Sequence, residues 1–289
     1  MCLGHRTPKK GVLNTLIIGC GYLGQALAQS WLGQSIPVTG WVRTETAVPD
    51  LNALGVHPFI GDVASVADWS RIENFFDLVV YCPSSNRGGV EAYRSVFVEG
   101  LCLALQKLPS SQLLFISSTS VYGQDDGSLV DEQSPAEPTS QTSRILREAE
   151  EIGFRAGAII LRVAGIYGPG RGVLVRKFLD GQAVIEGDGS RWMNQIHRDD
   201  VISAIQTLVQ HGRRGEVYNI CDNVPSSHLE FYQWLANRYQ LPLPPFGPPN
   251  IHRKRGTTNK RVQNAKLRSL GWSPQYPDFR EGLRSTSNL

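Results

Sequence analysis

The stretch LIIGCGYLGQALAQSWL, residues 16–32, decides the fold. A short apolar run leads into glycines at positions 19, 21 and 24, and an amphipathic segment follows. Glycines at this spacing allow a tight turn and a close approach of the backbone to a pyrophosphate, while a helix start supplies unpaired N–H groups. The pattern favours dinucleotide binding over a merely structural glycine turn. The residues expected to contact the dinucleotide are Gly19, Cys20, Gly21, Tyr22, Leu23 and Gly24.

Strand-like and helix-like segments alternate after this turn. The later apolar runs are PVTGWV, GVHPFI, DLVVYC, SQLLFIS and AGAIILRV, and helix-length segments such as 93–108 separate them. Strands that are apolar throughout are typical of sheets buried on both faces. The alternation therefore predicts an α/β protein with a Rossmann-type, doubly wound parallel sheet.

The composition changes after Val163, where glycine and proline become frequent. We interpret this change as the start of a smaller C-terminal substrate lobe. The predicted organisation is a flexible tail over residues 1–11, an NAD(P)-binding Rossmann domain over 12–165, and a smaller substrate-binding lobe over 166–289. Part of that lobe is expected to thread back into the first domain.

Composition narrows the class of protein. The 289 residues are 41% hydrophobic and 19% charged, with a formal net charge of +3, which is too small to indicate nucleic acid or membrane partners. The five cysteines are scattered without CxxC spacing, so neither a disulfide framework nor a metal site is expected. With no signal-peptide core and no transmembrane-length apolar run, the sequence predicts a soluble protein of the reducing cytoplasm.

A local basic run, HRKRGTTNKR over residues 252–261, allows three interpretations. A solvated loop comes first, and a substrate phosphate bound by Lys260 or Arg261 comes second. Nucleic acid comes a distant third, because aromatic residues are not interleaved with the basic ones.

The end of the second predicted strand decides between the two nicotinamide dinucleotides. An acidic residue there accepts a hydrogen bond from the ribose of NAD, but the segment WVRT offers Arg43 instead, which suits the 2′-phosphate of NADP. NADP is therefore favoured, and Glu45 nearby keeps NAD possible. In the segment GDV, Asp62 and Val63 are expected beside the adenine, although Asp62 could equally cap a helix.

Several longer phrases accompany the glycine turn in a fixed order: FISSTSVYG (115–123), LRVAGIYGPG (161–170), NQIHRDDV (194–201), EVYNICDNVP (216–225) and NKRVQNAKLRSLGW (259–272). With them, nearly the whole chain resembles the extended short-chain dehydrogenases/reductases, the NAD(P)-dependent epimerases and dehydratases. It is most similar to the atypical members, whose catalytic residues are poorly kept.

The resemblance implies catalytic positions. Ser118 would orient the reacting hydroxyl or carbonyl group of the substrate. The family's tyrosine acts as general acid/base, and its lysine binds the nicotinamide ribose. Alignment on Pro138 and Glu148 puts Ser140 at the tyrosine position and Arg144 at the lysine position. The resemblance therefore implies that the tyrosine function is lost and that Arg144 holds the ribose.

Three residues are candidates for a substitute acid. Tyr122 and Tyr167 lie in phrases that line the cleft in this family, and His197 has an ordinary pKa near 6.5. Packing is the commoner role of such tyrosines, and helix capping is the commoner role of a histidine at this position. We take Tyr122, with Ser118 and Arg144, as the predicted catalytic set.

Two functions remain open. The first is an NADP-dependent oxidoreductase or epimerase/dehydratase acting on a small molecule, for example a nucleotide sugar, through a non-standard site. The alternative is a non-catalytic NADP-binding sensor or partner-binding protein, which explains the missing tyrosine and lysine without further assumption. A homodimer is expected only by analogy with the fold.

Overall fold

Seven parallel strands form the central sheet of the protein, in a computed structural model that describes residues 13–72, 75–85, 88–249 and 258–286. The described strands, in chain order, are β1 (Thr15–Ile18), β2 (Val38–Val42), β3 (His57–Ile60), β4 (Leu78–Tyr81), β5 (Gln112–Ser118), β6 (Ser128–Val130), β7 (Ile159–Val163), β8 (Gly165–Tyr167), β9 (Ile185–Glu186), β10 (Trp192–Met193), β11 (Gln195–His197), β12 (Val217–Ile220), β13 (Ser226–Ser227), β14 (Phe246–Gly247) and β15 (Lys260–Val262).

The helices pack on both faces of the sheet and build the second lobe. The described α-helices are α1 (Tyr22–Leu32), α2 (Val48–Leu54), α3 (Val66–Ser70), α4 (Val90–Arg94), α5 (Gly100–Lys107), α6 (Gln141–Arg155), α7 (Val173–Leu179), α8 (Arg198–His211), α9 (His228–Tyr239), α10 (Ala265–Arg268) and α11 (Phe279–Ser285). A π-helical turn, Ser95–Glu99, joins α4 to α5, and 3₁₀ turns occupy Glu45–Ala47 and Thr119–Val121.

The order of strands across the central sheet is β12-β7-β5-β4-β1-β2-β3, and every neighbouring pair is parallel. The winding reverses between β1 and β4. In sheets of this kind, ligands bind outside the carboxyl ends of the strands at such a switch point. The predicted Rossmann-type, doubly wound parallel sheet is confirmed.

The sequence explains why β1 and its neighbouring helix form. Leu16, Ile17 and Ile18 of β1 are fully buried, as expected of a central strand covered on both faces. In α1, Leu27 and Trp31 are four residues apart, so they lie on one face of the helix, and both are buried. Burial of each such side chain stabilises the fold by roughly 1.5–3 kcal/mol.

A second, smaller hydrophobic core lies in the C-terminal lobe. Its buried members come from α7, α9, α11 and the short strands between them: Tyr167, Val175, Phe178, Ala183, Ile185, Met193, Phe231, Tyr232, Leu235, Phe279 and Leu283. However, β12 pairs with β7 at the edge of the central sheet. The buried side chains Val201, Ile205 and Leu208 of α8 also belong to the larger core. The boundary at residue 165 stays a prediction, and the predicted tail over 1–11 lies outside the described residues.

The described residues form neither a membrane-spanning helix nor a cluster of metal ligands. None of their helices is both long enough and apolar enough to cross a membrane. Within the same ranges, no group of three or more His, Cys, Asp or Glu side chains is arranged to hold a metal ion.

Candidate functional site

A cavity of about 1140 Å³ lies at the carboxyl ends of the central strands, between the two lobes. Residues from the glycine turn, from the ends of β2, β4, β5 and β7, and from the C-terminal lobe all line it. Its volume is slightly above the roughly 300–1,000 Å³ typical of small-molecule pockets. The cavity occupies the switch point of the sheet, where a dinucleotide is expected to bind.

The turn after β1 has the shape that a pyrophosphate requires. Gly19 has φ of +86°, and a Cβ there would collide with the backbone of Pro83. A Cβ on Gly24 would lie 2.9 Å from Cγ2 of Ile17, which holds α1 close to β1. At Gly21, by contrast, no heavy atom of the described residues lies within 4 Å of the position a Cβ would take. Gly21 therefore presents open backbone to the cavity.

The start of α1 also fits an anionic group. Among the described residues, no side chain caps this helix, which begins directly after Gly21. Its first N–H groups and the positive end of its dipole therefore remain available to a phosphate. The backbone of this segment is suited to holding a dinucleotide.

The three other residues of the turn differ in exposure. Cys20 is fully buried, and burial raises the pKa of its thiol to about 12, so only its backbone suits cofactor binding. Leu23 is also buried. The guanidinium carbons of Arg171 and Arg198 lie over the ring of Tyr22, 5.1 and 5.4 Å from its centroid. Tyr22 thus links α1 to the C-terminal lobe at the edge of the cavity.

Arg43 lies at the carboxyl end of β2, is exposed and lines the cavity. This position is compatible with a 2′-phosphate on a bound ribose. Asp62 and Val63 are outside the cavity lining among the described residues. The Asp62 carboxylate accepts a hydrogen bond from Ala64 N at 2.9 Å, and the Val63 carbonyl accepts one from Trp69 Nε1 at 2.7 Å. These contacts stabilise the turn before α3, and an adenine contact stays a prediction.

Ser118 ends β5 and lines the cavity, as its predicted role requires. Its hydroxyl accepts a hydrogen bond from Ser120 N at 3.2 Å, which caps the following 3₁₀ turn. The hydroxyl proton is still available to a ligand, because accepting this bond does not use it. The structural and the substrate-orienting interpretations of Ser118 are therefore compatible.

The start of α6 presents hydroxyl groups to the cavity, namely Thr139, Ser140 and Ser143. Ser140 caps the helix by accepting from Ser143 N at 3.2 Å and donates to Ser143 Oγ at 2.8 Å. Arg144 lies on the outer side of the helix, is exposed and donates from Nε to the Pro138 carbonyl at 3.2 Å. It is outside the cavity lining among the described residues. This placement does not support the ribose-binding role expected of Arg144.

Tyr122 also fails to reach the cavity. Its side chain is fully buried, and its hydroxyl bonds to the Asp131 carbonyl at 2.7 Å and to Asn219 Oδ1 at 2.9 Å. Burial raises the pKa of this phenol. The bond to Asn219 joins the segment after β5 to β12. These contacts support a packing role for Tyr122 and not the proton transfer expected of it.

The two other candidate acids have different surroundings. Tyr167 lines the cavity, but burial raises the pKa of its phenol, and its hydroxyl faces the Asp278 carbonyl at 3.4 Å. His197 accepts from Asp199 N at 3.2 Å and so caps α8, and its Nε2 faces Thr286 Oγ1 at 3.4 Å. Burial lowers the pKa of His197. Capping and closure of the C-terminal segment account for these contacts.

Sequence reasoning underrated Lys260. It lies in β15 and is only 4% exposed, so the interpretation of the basic run as a solvated loop is wrong at this position. Its side chain lines the cavity, and its Nζ donates to the Tyr122 carbonyl at 3.0 Å. Burial lowers the pKa of Lys260 to about 8. Residues 252–257 of the run lie outside the described residues.

The charge of the cavity wall is uniform. Its described lining contains no Asp or Glu side chain and five cationic ones: Arg43, Arg171, Lys177, Arg191 and Lys260. Cations grouped in a cleft with apolar walls raise the local concentration of anions. The cavity is therefore suited to a ligand with several phosphate or carboxylate groups.

A family model, that of the NAD dependent epimerase/dehydratase family, matches residues 15–221. The chain belongs to this family. It is 32% identical over 273 residues to Protein YeeZ of Escherichia coli strain K12, covering 91% of this chain and 96% of that protein. This full-length match agrees with the resemblance predicted from the sequence phrases.

Two solved structures give the same picture of the fold. A functionally unknown conserved protein from Silicibacter pomeroyi is 26% identical, with a TM-score of 0.77 over 94% of this chain and 97% of that one. UDP-glucose 4-epimerase from Thermotoga maritima, solved with UDP-glucose, is 20% identical, with a TM-score of 0.81 over 95% and 97%. In this protein, the sequence of α6 contains neither tyrosine nor lysine.

Proposed function

We propose that the protein is an NADP-dependent epimerase, dehydratase or related oxidoreductase that acts on a nucleotide sugar through a site without the Tyr-Lys pair. The observation that carries this proposal is the single cavity whose described lining combines the glycine turn, Ser118 and five cations without a carboxylate. A dinucleotide and a nucleotide sugar both carry pyrophosphate groups, which such a wall stabilises.

The proposed division of the cavity follows from which elements line it. The glycine turn and the start of α1 would hold the cofactor pyrophosphate, and Arg43 would bind the 2′-phosphate of NADP with charge-assisted hydrogen bonds. Ser118 would orient the reacting oxygen of the substrate. A bound nicotinamide would supply the acceptor or donor of a hydride. Arg171, Lys177 and Arg191 of the C-terminal lobe would face the phosphates of the substrate.

NADP is the proposed cofactor, with NAD as the alternative. Arg43 is at the end of β2 where an acid would serve the 2′-hydroxyl of NAD, and a carboxylate there would repel a 2′-phosphate. The closest acidic residue in sequence, Glu45, begins a 3₁₀ turn and lies outside the described lining of the cavity. We also propose a cytoplasmic location and a homodimer, in keeping with the unpaired cysteines and with the fold.

The second candidate is an NADP-binding protein without turnover. The feature that favours it is the start of α6, where the cavity meets serine and threonine hydroxyls instead of a phenol. An alkyl hydroxyl has too high a pKa to exchange a proton near neutrality without a base beside it. This candidate requires cofactor binding without any change in a nucleotide sugar.

The decisive experiment separates binding from turnover. NADPH and NADH binding is measured by the fluorescence of the reduced nicotinamide, and a panel of UDP- and dTDP-linked hexoses is incubated with the protein and oxidised cofactor and followed by NMR. Tighter NADPH binding with a changed sugar supports the enzyme. Binding of NADPH with every sugar unchanged supports the non-catalytic protein, and no binding of either dinucleotide overturns both functions.

A further inference from the structure

Lys260 is held on the same segment of chain that carries Ser118. Its Nζ donates to the Tyr122 carbonyl at 3.0 Å and to Thr258 Oγ1 at 2.5 Å, and Tyr122 directly follows the 3₁₀ turn that Ser118 caps. An ammonium group has three donors, so one N–H remains beyond these two bonds. Because Lys260 lines the cavity, this third N–H is available to a ligand there.

The strand that carries Lys260 is itself fixed. Asn194 clamps it by donating from Nδ2 to the Lys260 carbonyl at 2.9 Å and accepting from Val262 N at 2.7 Å. The whole of β15 pairs in parallel with β6. A group held in this way from both sides keeps its position relative to Ser118, as a catalytic group must.

The surroundings of the Lys260 amine are almost neutral. Its two hydrogen-bond partners are a carbonyl and a hydroxyl, and the strands packed against β15, which are β6 and β10, contain no charged residue. The charged residues that lie in these elements or within two residues of them are Asp126, Asp131, Glu132, Arg191 and Arg261. None of the five contributes to the shift, and burial alone lowers the pKa of Lys260 to about 8.

Four other titratable groups of the described lining are less suited to proton exchange near neutrality. Burial raises the pKa of Tyr167, Tyr22 and Cys82, and burial with the nearby Arg191 lowers the pKa of His228 to about 4. Arginines remain charged throughout this range. Efficient general acids and bases titrate near the working pH.

We propose that Lys260 is the catalytic proton-transfer group of this site, and that it exchanges a proton with the substrate oxygen that Ser118 orients. This inference rests on the proposed function, because it names the group that acts in place of the missing tyrosine.

The proposed step is the oxidation of a substrate alcohol to a carbonyl group. The O–H bond of a substrate carbinol breaks, and its proton forms a new N–H bond with the lone pair of the neutral Lys260 amine. The two electrons of the carbinol C–H bond leave with the hydrogen as hydride to an oxidised nicotinamide dinucleotide, and the carbinol carbon becomes a carbonyl. In the reverse direction, the ammonium returns the proton to the carbonyl oxygen as hydride comes back.

One test measures the amine itself. Acetic anhydride labels neutral amines, so the rate of Lys260 acetylation against pH, read by mass spectrometry, reports its pKa directly. We expect a midpoint near 8, below the ordinary lysine value of 10.5, and protection by UDP-glucose or dTDP-glucose in the presence of NADP. A midpoint near the ordinary value, or labelling that nucleotide sugars leave unchanged, overturns the inference.

A second test measures the chemistry. Reduced cofactor is followed at 340 nm after the protein, loaded with NADP or NAD, is mixed with the same panel of UDP- and dTDP-linked hexoses. Wild type should give a burst whose rate rises with pH around 8. Lys260→Met and Lys260→Arg should slow it by about 10²–10⁴-fold, the usual contribution of general acid/base catalysis, without changing cofactor affinity.

The variants distinguish proton transfer from other roles. Lys260→Arg keeps the charge and a hydrogen-bonding side chain, so an unimpaired burst in that variant would show that Lys260 supplies charge alone and would overturn the inference. The matched control is Lys266→Met, because the Lys266 Nζ also makes two hydrogen bonds, to Glu216 and to the Val217 carbonyl, but lies outside the described lining of the cavity. Absence of a burst in wild type would overturn the proposed function together with this inference.

Discussion

At the scale of single residues, Arg43 is the residue on which the proposed preference for NADP depends. It lines the cavity at the end of β2. We expect Arg43→Ala to weaken NADPH binding by about 10–100-fold, since a hydrogen bond to a charged group contributes roughly 1.5–3 kcal/mol, while NADH binding stays within about twofold. Fluorescence titration measures both constants. The control is Arg144→Ala, because Arg144 lies outside the described lining of the cavity. Equal loss of NADPH and NADH affinity in Arg43→Ala would contradict the proposed role of Arg43.

The glycine turn contains a matched pair of residues with opposite environments. A Cβ at Gly21 meets open space, whereas a Cβ at Gly24 lies 2.9 Å from Ile17 Cγ2 and 3.0 Å from the Gly19 carbonyl oxygen. We expect Gly21→Val to abolish dinucleotide binding with little change in thermal stability. Gly24→Ala should instead destabilise the fold by about 1–3 kcal/mol, the usual cost of overpacking.

Thermal melting and cofactor titration of both glycine variants check this pair. If Gly21→Val binds NADPH as well as wild type does, the open space above Gly21 is not where the pyrophosphate lies. If Gly24→Ala melts with wild type, the contact between α1 and β1 is looser than the structure indicates.

The sequence predicted some of these residues and not others, for physical reasons. The glycine turn was recognisable because its spacing, between an apolar run and an amphipathic segment, is a local pattern of the sequence. The role of Arg144 stays a prediction, because landmarks along a helix do not give the direction of each side chain, and it is the neighbouring Ser143 that lines the cavity. Lys260 was underrated because its burial depends on Tyr122 and Asn194, which are distant in sequence.

At the level of elements, a buried ion pair joins α6 to β7. Glu150 and Arg162 are 1% and 3% exposed, and Arg162 Nη2 donates to Glu150 Oε2 at 2.7 Å. Glu150 also accepts from the Ser117 hydroxyl at 2.5 Å. We expect Glu150→Gln to destabilise the protein by about 3–5 kcal/mol, because it leaves the Arg162 charge buried without a counterion. Urea unfolding of the variant measures this loss.

The same helix provides the control for that prediction. Glu148 pairs with Arg94 at 2.7 Å, but both side chains are more than 40% exposed. Solvent screens an exposed pair, so Glu148→Gln should have little effect on stability. Equal losses from Glu148→Gln and Glu150→Gln would mean that burial does not set the strength of the inner pair.

At the scale of the whole molecule, acid should weaken the C-terminal lobe through His228. This residue is 3% exposed, and burial with the nearby Arg191 lowers its pKa to about 4 from 6.5. Because its pKa is lowered in the folded protein, His228 binds a proton at higher pH in the unfolded chain than in the folded one. The contribution of neutral His228 to the free energy of unfolding is therefore present above pH 6.5 and is lost as the pH falls through 4. The loss is at most roughly 3 kcal/mol, at about 1.4 kcal/mol for each pKa unit.

Other titratable groups change the stability in the opposite direction as the pH falls. The effect of His228 must therefore be measured as a difference in stability between wild type and a variant. Burial raises the pKa of Asp200 to about 6, and stability from that group is lost as the pH rises through 6. We expect wild type minus His228→Gln to show a stability difference that falls between pH 6.5 and 4, measured by urea unfolding at each pH. If the stability difference does not change over this pH range, His228 has the same pKa in the folded and unfolded states.

The overall fold was predictable because it depends on periodic features. Apolar runs such as residues 156–163 and the alternation of strands with helices indicate a parallel sheet without knowledge of long-range contacts. The position of β12 was not predictable in the same way, because Val217–Ile220 pairs with β7 across more than fifty residues of intervening chain. Sequence periodicity identifies a strand but not the edge to which it adds.

That pairing leads to a prediction about the first domain alone. A protein ending at residue 165 would lose β12 from the sheet edge, together with α8, whose Val201, Ile205 and Leu208 are buried in the larger core. Removal of α8 would also break the bond from Gln206 Nε2 to Ser30 Oγ, at 2.9 Å, that joins it to α1. Exposed core surface and an unpaired sheet edge both favour aggregation.

We therefore expect residues 12–165 to bind hydrophobic dyes, to lack a cooperative melting transition and to fail to bind NADPH, although they contain the whole glycine turn. Circular dichroism during heating and cofactor fluorescence check these properties against the full chain. A fragment that melts cooperatively and binds NADPH would show that the dinucleotide domain is independent of α8 and β12. The expected failure would mean instead that the C-terminal half completes the same core that positions the cofactor, so the two predicted units fold as one.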